Sequence, residues 1–220
     1  MHRFSKTLIL VTIIGLWTST AFSLDPRRSL KQYLHEKWTS DNGLPQNSVS
    51  SILQSRDGYM WFATQEGIVR FDGLHMKVFD RTNTPELVSN NVGVIAEDKN
   101  GGIWIFPSGR GGITRLKNGK FKTFTTNDGL ASSGRNGGAI DSSGNLWISS
   151  NKGISRIVGD TITVFTRKDG LPSDTAGTMY CDPEGGLWMA TFFKMTHYKD
   201  GKFTTYSRED GLLTDTVTAF

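Results

Sequence analysis

From about residue 33 onward, hydrophobic and polar positions in this chain keep one rhythm. Short runs rich in β-branched and aromatic residues alternate with turns of Asp, Asn and Gly, and the unit returns every 41–43 residues. Trp61, Trp104, Trp147 and Trp188 mark the repeat, closing D-G-Y-M-W, N-G-G-I-W, S-G-N-L-W and E-G-G-L-W. A fixed period of this length means one supersecondary unit copied along the chain.

Each copy has the same internal order. An apolar stretch (49–53, 92–96) precedes an acidic-Gly turn and then the tryptophan run. Leu146, Trp147 and Ile148 are apolar in succession, which suits a strand covered on both faces. A second turn leads into Gly67-Ile68-Val69-Arg70-Phe71, matched by residues 112–116 and 153–157. A third leads to a closing aromatic: Phe79, Phe124, Phe165 or Tyr206. Asp-Gly-Leu links follow at 128–130, 169–171 and 210–212. Turn dipeptides between short β-like runs read as consecutive antiparallel hairpins. No segment after the N-terminus carries the 3,4 apolar spacing of a helix.

The pattern predicts an all-β protein, a β-propeller built of four-stranded antiparallel blades at about 47–80, 90–125, 135–166 and 175–207. Trp38 precedes Trp61 by the 23 residues that separate Phe124 from Trp147. Residues 33–38 therefore read as an orphan outer strand, and 214–220 as the opening of an unfinished fifth copy. An incomplete ring is expected; the alternative is a closed four-blade ring, which would leave no edge strand.

The first 23 residues follow a different pattern. Arg3 and Lys6 precede an apolar run at 8–17, and Ala21-Phe22-Ser23 supplies a small-x-small site. This reads as a secretory signal peptide cut before Leu24, with 24–32 a short lead-in and 33–220 the propeller. An uncleaved anchor helix is the alternative. Losing residues 1–23, which hold no acid, lowers the formal charge from +4 to +2. The remaining basic residues are scattered, which gives no footprint for nucleic acid. The single Cys181 has no partner for an internal disulfide and reads as a buried small hydrophobe.

Candidate chemistry is sparse. The D-x-x-G-x-x-W turns resemble the start of a calcium loop, but lack its further oxygen ligands and bidentate glutamate. Tight-turn chemistry accounts for them. Arg70, Arg115 and Arg156 recur at one position, with His197 in the fourth copy. They read either as a basic ring for an anion or as packing residues that bond the neighbouring blade, and periodicity favours packing. His2, His35, His75 and His197 have no metal-ligand spacing, and no G-x-S-x-G elbow or phosphate loop occurs. No catalytic residue, metal or cofactor is expected.

The repeat breaks in three places. A two-residue insertion falls within 81–86, another at Ser108-Gly109-Arg110, and Phe192-Phe193-Lys194 replaces the usual polar pair and glycine. All three lie on connections after second or fourth strands, which open on one face, and insertions on one face mark binding. Arg110, Phe192, Phe193 and Lys194 are thus candidate ligand-binding residues. Phe192 and Phe193 could stack on a sugar or other flat ligand, or seal the blade interface.

The run G-L-P-Q-N-S-V-S-S-I-L-Q-S-R-D-G-Y-M-W-F-A-T-Q-E-G-I-V-R-F-D-G, residues 43–73, resembles the two-component regulator propeller repeat. The resemblance covers nearly all of the chain from about residue 33. It implies the periplasmic sensor region of a bacterial signalling protein, in which seven-bladed propellers precede a small β-sandwich, a transmembrane helix and a histidine kinase or diguanylate cyclase. Some members sense carbohydrates. The implied partners are a small molecule or oligosaccharide and a second copy through the full-length protein, with the membrane reached only by a downstream segment. A propeller enzyme such as a lyase, with its catalytic residues in other blades, and a periplasmic protein-binding scaffold are the alternatives.

Overall fold

Each copy folds as a four-stranded antiparallel sheet whose strands pair in chain order. The computed structural model describes residues 29, 31, 36–135, 137–191 and 194–213. Blade 1 holds β1 (Val49–Gln54), β2 (Met60–Thr64), β3 (Gly67–Phe71) and β4 (Met76–Phe79). Blade 2 holds β5 (Val92–Glu97), β6 (Ile103–Pro107), β7 (Ile113–Lys117) and β8 (Lys120–Phe124). Blade 3 holds β9 (Gly137–Ile140), β10 (Leu146–Ser150), β11 (Gly153–Val158) and β12 (Thr161–Phe165). Blade 4 holds β13 (Ala176–Cys181), β14 (Leu187–Thr191), β15 (Lys194–Lys199) and β16 (Lys202–Tyr206).

From Trp38 on, the chain forms one unit. The first strands converge on its inner edge, β1 beside β5 and β9 beside β13, while the fourth strands make no comparable approach. This is the fan arrangement of propeller blades. The Asp-Gly-Leu links become single 3-10 turns at Thr126–Asp128, Arg167–Asp169 and Arg208–Asp210. Thr125, Thr166 and Ser207 cap them in capping boxes. Leu130 and Leu171 then turn into the core.

The four tryptophans are structural. Trp61, Trp104 and Trp147 face the following blade and are each 2% exposed. Burying a side chain of this size contributes on the order of 1.5–3 kcal/mol. Trp188 is only half-buried, because no further blade covers its face among the described residues. Residues 214–220, the expected fifth copy, lie outside the described residues.

The acidic turn is a brace for the tryptophan. Asp98 accepts from the backbone N–H of Asn100 (2.8 Å) and Gly102 (2.9 Å) and from the Trp104 indole (2.8 Å). Asp141 and Asp182 hold Trp147 and Trp188 in the same way, at 2.9 and 3.0 Å. In blade 1 the bracing position is Ser55, which accepts from Trp61 at 3.0 Å and donates to Asp57 at 2.5 Å.

The recurring basic position lies directly across from the tryptophan in the second hairpin of each blade. Arg115 and Arg156 lie over Trp104 and Trp147, at 5.4 and 5.0 Å. His197 stacks on Trp188 at 4.1 Å. Arg115 also reaches the next blade, donating to the Gly159 carbonyl (2.6 Å) and Asp160 (2.5 Å).

Two expectations change. Of the orphan strand expected at 33–38, residues 33–35 lie outside the described residues, and 36–38 belong to no strand. The Trp38 ring instead packs on the open face of blade 1, 4.9 Å from Phe71 and 5.7 Å from Phe62. Among the described residues no strand lies beside it to pair with its backbone. Cys181 is half-buried, since it ends β13 at the turn rather than inside the sheet. Burial, with Asp141 and Asp182 nearby, still pushes its thiol up to about 12.

Candidate functional site

The loop face carries the connections after second and fourth strands, where the repeat breaks. Its three irregular segments have different fates. The insertion at 81–86 folds onto itself: Asp80 accepts from the backbone of Thr82 (2.8 Å) and Asn83 (3.1 Å). Its end docks on blade 2, where the Glu86 carbonyl accepts from the hydroxyls of Thr114 and Thr123. That break is a structural clasp.

The insertion at Ser108-Gly109-Arg110 crosses to blade 3. Gly111 N–H donates to the Ser133 carbonyl at 2.9 Å. The exposed Arg110 side chain runs alongside Gly134. Arg110 therefore lies against the segment leading to Arg135. The opening at this seam, lined by Pro107, Ile113, Leu130, Ser132 and Arg135, is only about 10 Å³, room for one water.

Phe192 and Phe193 lie outside the described residues. Lys194 is exposed and opens β15 rather than sitting in the loop. In the other copies this position is Gly67, Gly112 or Gly153, with φ of 131°, 122° and 114°. A Cβ there would fall 2.2–2.5 Å from the carbonyl of Phe79, Phe124 or Phe165. In the fourth blade Lys194 places a side chain at this position. Lys194 lies near Asp210, whose carboxyl is held below its usual range by hydrogen bonds from the Ser207 backbone and hydroxyl, with the Lys194 charge adding to them. Arg110 belongs to the seam of blades 2 and 3 and Lys194 to blade 4, so the two share a face and not one pocket.

Arg135 is the residue that sequence reasoning misses. Its ring partner is Phe106, 5.1 Å from the guanidinium carbon. Its Nε is buried and has no acceptor among the described residues, and desolvation lowers its pKa. The signal lies in the repeat itself: counting twelve residues back from each tryptophan gives Val49, Val92, Arg135 and Ala176. Val92 and Ala176 are fully buried there and Val49 is 37% exposed, so an arginine at this position breaks an apolar column.

The two-component regulator propeller family profile matches at residues 43–66, 86–107 and 170–193. This chain carries the two-component regulator propeller repeat. The third blade is the copy left unmatched by the profile.

Solved structures agree on the fold. An extracellular domain from B. thetaiotaomicron assigned to a hybrid two-component system, BT3049, matches with TM-score 0.53 and 22% identity over 76% of this chain and 30% of that one. A second, from BT4673 of the same organism, matches with TM-score 0.55 and 18% identity over 74% and 25%. Virginiamycin B lyase from Staphylococcus aureus, solved with quinupristin, matches with TM-score 0.55 and 18% identity over 72% and 55%. The chain thus spans about a quarter to a third of the length of these two extracellular domains. No curated protein sequence matches. Among the described residues, no helix is long and apolar enough to cross a membrane.

Proposed function

We propose that this chain is the ligand-sensing propeller of an exported bacterial signalling protein, working in the periplasm ahead of a transmembrane segment and a kinase or cyclase output. The observation that carries the reading is the two-component regulator propeller repeat itself, in a chain whose irregular loops gather on one face. The extracellular domains from B. thetaiotaomicron support an exported setting. The ligand, a small molecule or oligosaccharide, contacts the loop face, either at Arg110 on the seam of blades 2 and 3 or at Lys194 on blade 4, where Phe192 and Phe193 offer stacking surface. Binding biases a two-state packing of the propeller or of a dimer of the full-length protein.

A thermal-shift screen of the full-length protein against oligosaccharides and small metabolites tests this. A ligand at about 100 times its Kd stabilises the folded state by roughly 2.7 kcal/mol, easily seen as a rise in Tm. Arg110→Ala or Lys194→Ala is expected to weaken the response. A panel without a stabilising compound, or a response untouched by both variants, overturns the loop-face reading.

A further inference from the structure

The seam between blades 2 and 3 differs from its neighbours. At the inner edge of the blade 1–2 seam, Ile95 packs against Leu53 in one core cluster. At the blade 3–4 seam, Met179 does the same beside Ala139. Ile52, Ile95, Gly138 and Met179 are equivalent, each paired with the residue after the tryptophan. Blade 3 therefore has glycine where the other blades have a large apolar side chain. Opposite Gly138 the facing residue is Ala96, where blade 1 has Leu53. Both halves of the plug are absent from this seam.

A cavity of about 210 Å³ fills the gap. Val94, Ala96, Phe106, Gly138 and Ile140 line it, and among the described residues the single polar side chain in its wall is Arg135. An apolar cavity of about 150 Å³ is large enough to accept an aromatic guest such as benzene. Arg135 adds the opposite requirement. Its guanidinium is partly desolvated against Phe106, and among the described residues its Nε is buried without an acceptor and no ion pair includes it. A desolvated guanidinium is best satisfied by a planar carboxylate taken in two parallel hydrogen bonds. The two departures from the repeat, Arg135 and Gly138, are three residues apart and open on one cavity.

We infer that this cleft is a binding site for a small aromatic carboxylate, with the ring in the space left by Gly138 and the carboxylate on Arg135. Phe106 holds the guanidinium from one side by cation–π contact and meets the ligand ring from the other. Because the cleft joins two blades, an occupant ties β5 to β9 where their backbones do not otherwise meet closely. The inference rests on the sensing reading for its purpose, but it concerns a different part of the molecule from the loop-face anchors.

The test is a ¹⁹F NMR titration of the full chain with 4-fluorobenzoate and, separately, its neutral analogue 4-fluorobenzamide. Saturable binding of the acid is expected, with the amide at least tenfold weaker. Arg135→Gln is expected to weaken the acid at least tenfold and to narrow its advantage over the amide. Gly138→Ile restores the plug of the other blades and abolishes binding. Val94→Phe fills the same space from the opposite wall, at a position 42% exposed, and serves if Gly138→Ile does not fold. No binding of the acid, equal binding of the amide, or unchanged binding in a folded Gly138→Ile or Val94→Phe variant overturns the inference. Oligosaccharide stabilisation without fluorobenzoate binding overturns this site alone. Fluorobenzoate binding without any oligosaccharide or metabolite response on the loop face overturns only the loop-face reading.

Discussion

The Trp104 indole donates to the Asp98 carboxylate at 2.8 Å, and both residues are almost fully buried, at 2% and 3% exposure. One carboxylate thereby closes the β5–β6 turn and fixes the ring that fills the seam with blade 3. Asp98→Ala leaves an indole N–H and two backbone N–H groups without their acceptor. Hydrogen bonds to a charged group contribute about 1.5–3 kcal/mol, and stranded donors add to the loss. The expected cost is about 2–4 kcal/mol, read from the urea midpoint. Ser55→Ala, which removes one neutral acceptor at the same place in blade 1, is expected to cost about 1 kcal/mol. Equal losses from the two variants would show that the charge at Asp98 adds nothing.

This brace is half legible in the sequence. The Asp-to-Gly turns and the tryptophan period specify the four four-stranded sheets, because both follow from local turn chemistry and a repeated core. The six-residue step from Asp98 to Trp104, Asp141 to Trp147 and Asp182 to Trp188 is visible too, yet a sequence does not say that an indole points back over its own turn. The site is less legible. Arg110 stands out because an insertion shifts the spacing. Arg135 and Gly138 keep the spacing and change only residue type, so they appear only when the copies are compared column by column with burial known. Trp38 fits the spacing of a strand without being in one, because spacing locates a residue and does not supply a pairing partner.

The brace at Asp141 predicts a pH dependence. Burial alone would raise its carboxyl, but hydrogen bonds from Trp147, Asn145 and Ser143 outweigh it, and the folded-state pKa lies below the usual 3.8. A carboxyl lowered on folding contributes stability above the unfolded value, and that contribution is lost as pH falls through the folded one. Asp141→Asn is therefore expected to be less stable than wild type at pH 7, with the gap closing below about pH 3.8. Urea unfolding at pH 7, 5 and 3 checks this. A gap that stays constant across that range would show that the charge of Asp141 is not what holds Trp147.

Cys181 predicts a chemical property of the fourth blade. Burial, and then the charges of Asp141 and Asp182, push its thiol up to about 12, so almost none is thiolate at pH 8. Iodoacetamide is expected to alkylate the native chain more than tenfold more slowly than the urea-unfolded chain. The same shift means that the thiol's contribution to stability is intact below its ordinary pKa of about 9 and falls away as pH rises toward 12. Native alkylation as fast as in the unfolded chain would place the β13 end in solvent.

Arg115 and Arg156 stand at equivalent positions, yet only Arg115 has a carboxylate in the next blade. The difference lies in the β-turn facing each one. Blade 3 turns through Gly159-Asp160, with positive φ only at Gly159 (59°), and this order presents Asp160 to Arg115 and to Lys122, at 2.5 and 2.8 Å. Blade 4 turns through Asp200-Gly201, both at positive φ (50° and 80°), so the position that would meet Arg156 is a glycine. Arg156 and Gly201 there line a polar cavity of about 230 Å³, and among the described residues no ion pair includes Arg156. Arg115→Ala is expected to cost about 1.5–3 kcal/mol through its lost charged hydrogen bonds. Asp160→Ala, whose side chain is 57% exposed, should cost no more than about 1 kcal/mol. Reversing the two residues of the blade 4 turn, by Asp200→Gly together with Gly201→Asp, copies the blade 3 order and gives Arg156 its carboxylate. The exchange is expected to stabilise the chain by about 0.5–1 kcal/mol at low salt and by less in about 1 M NaCl, where screening weakens the pair. A loss of stability, or a gain indifferent to salt, would mean that Arg156 is held by its stacking on Trp147 and draws nothing from a partner across the seam.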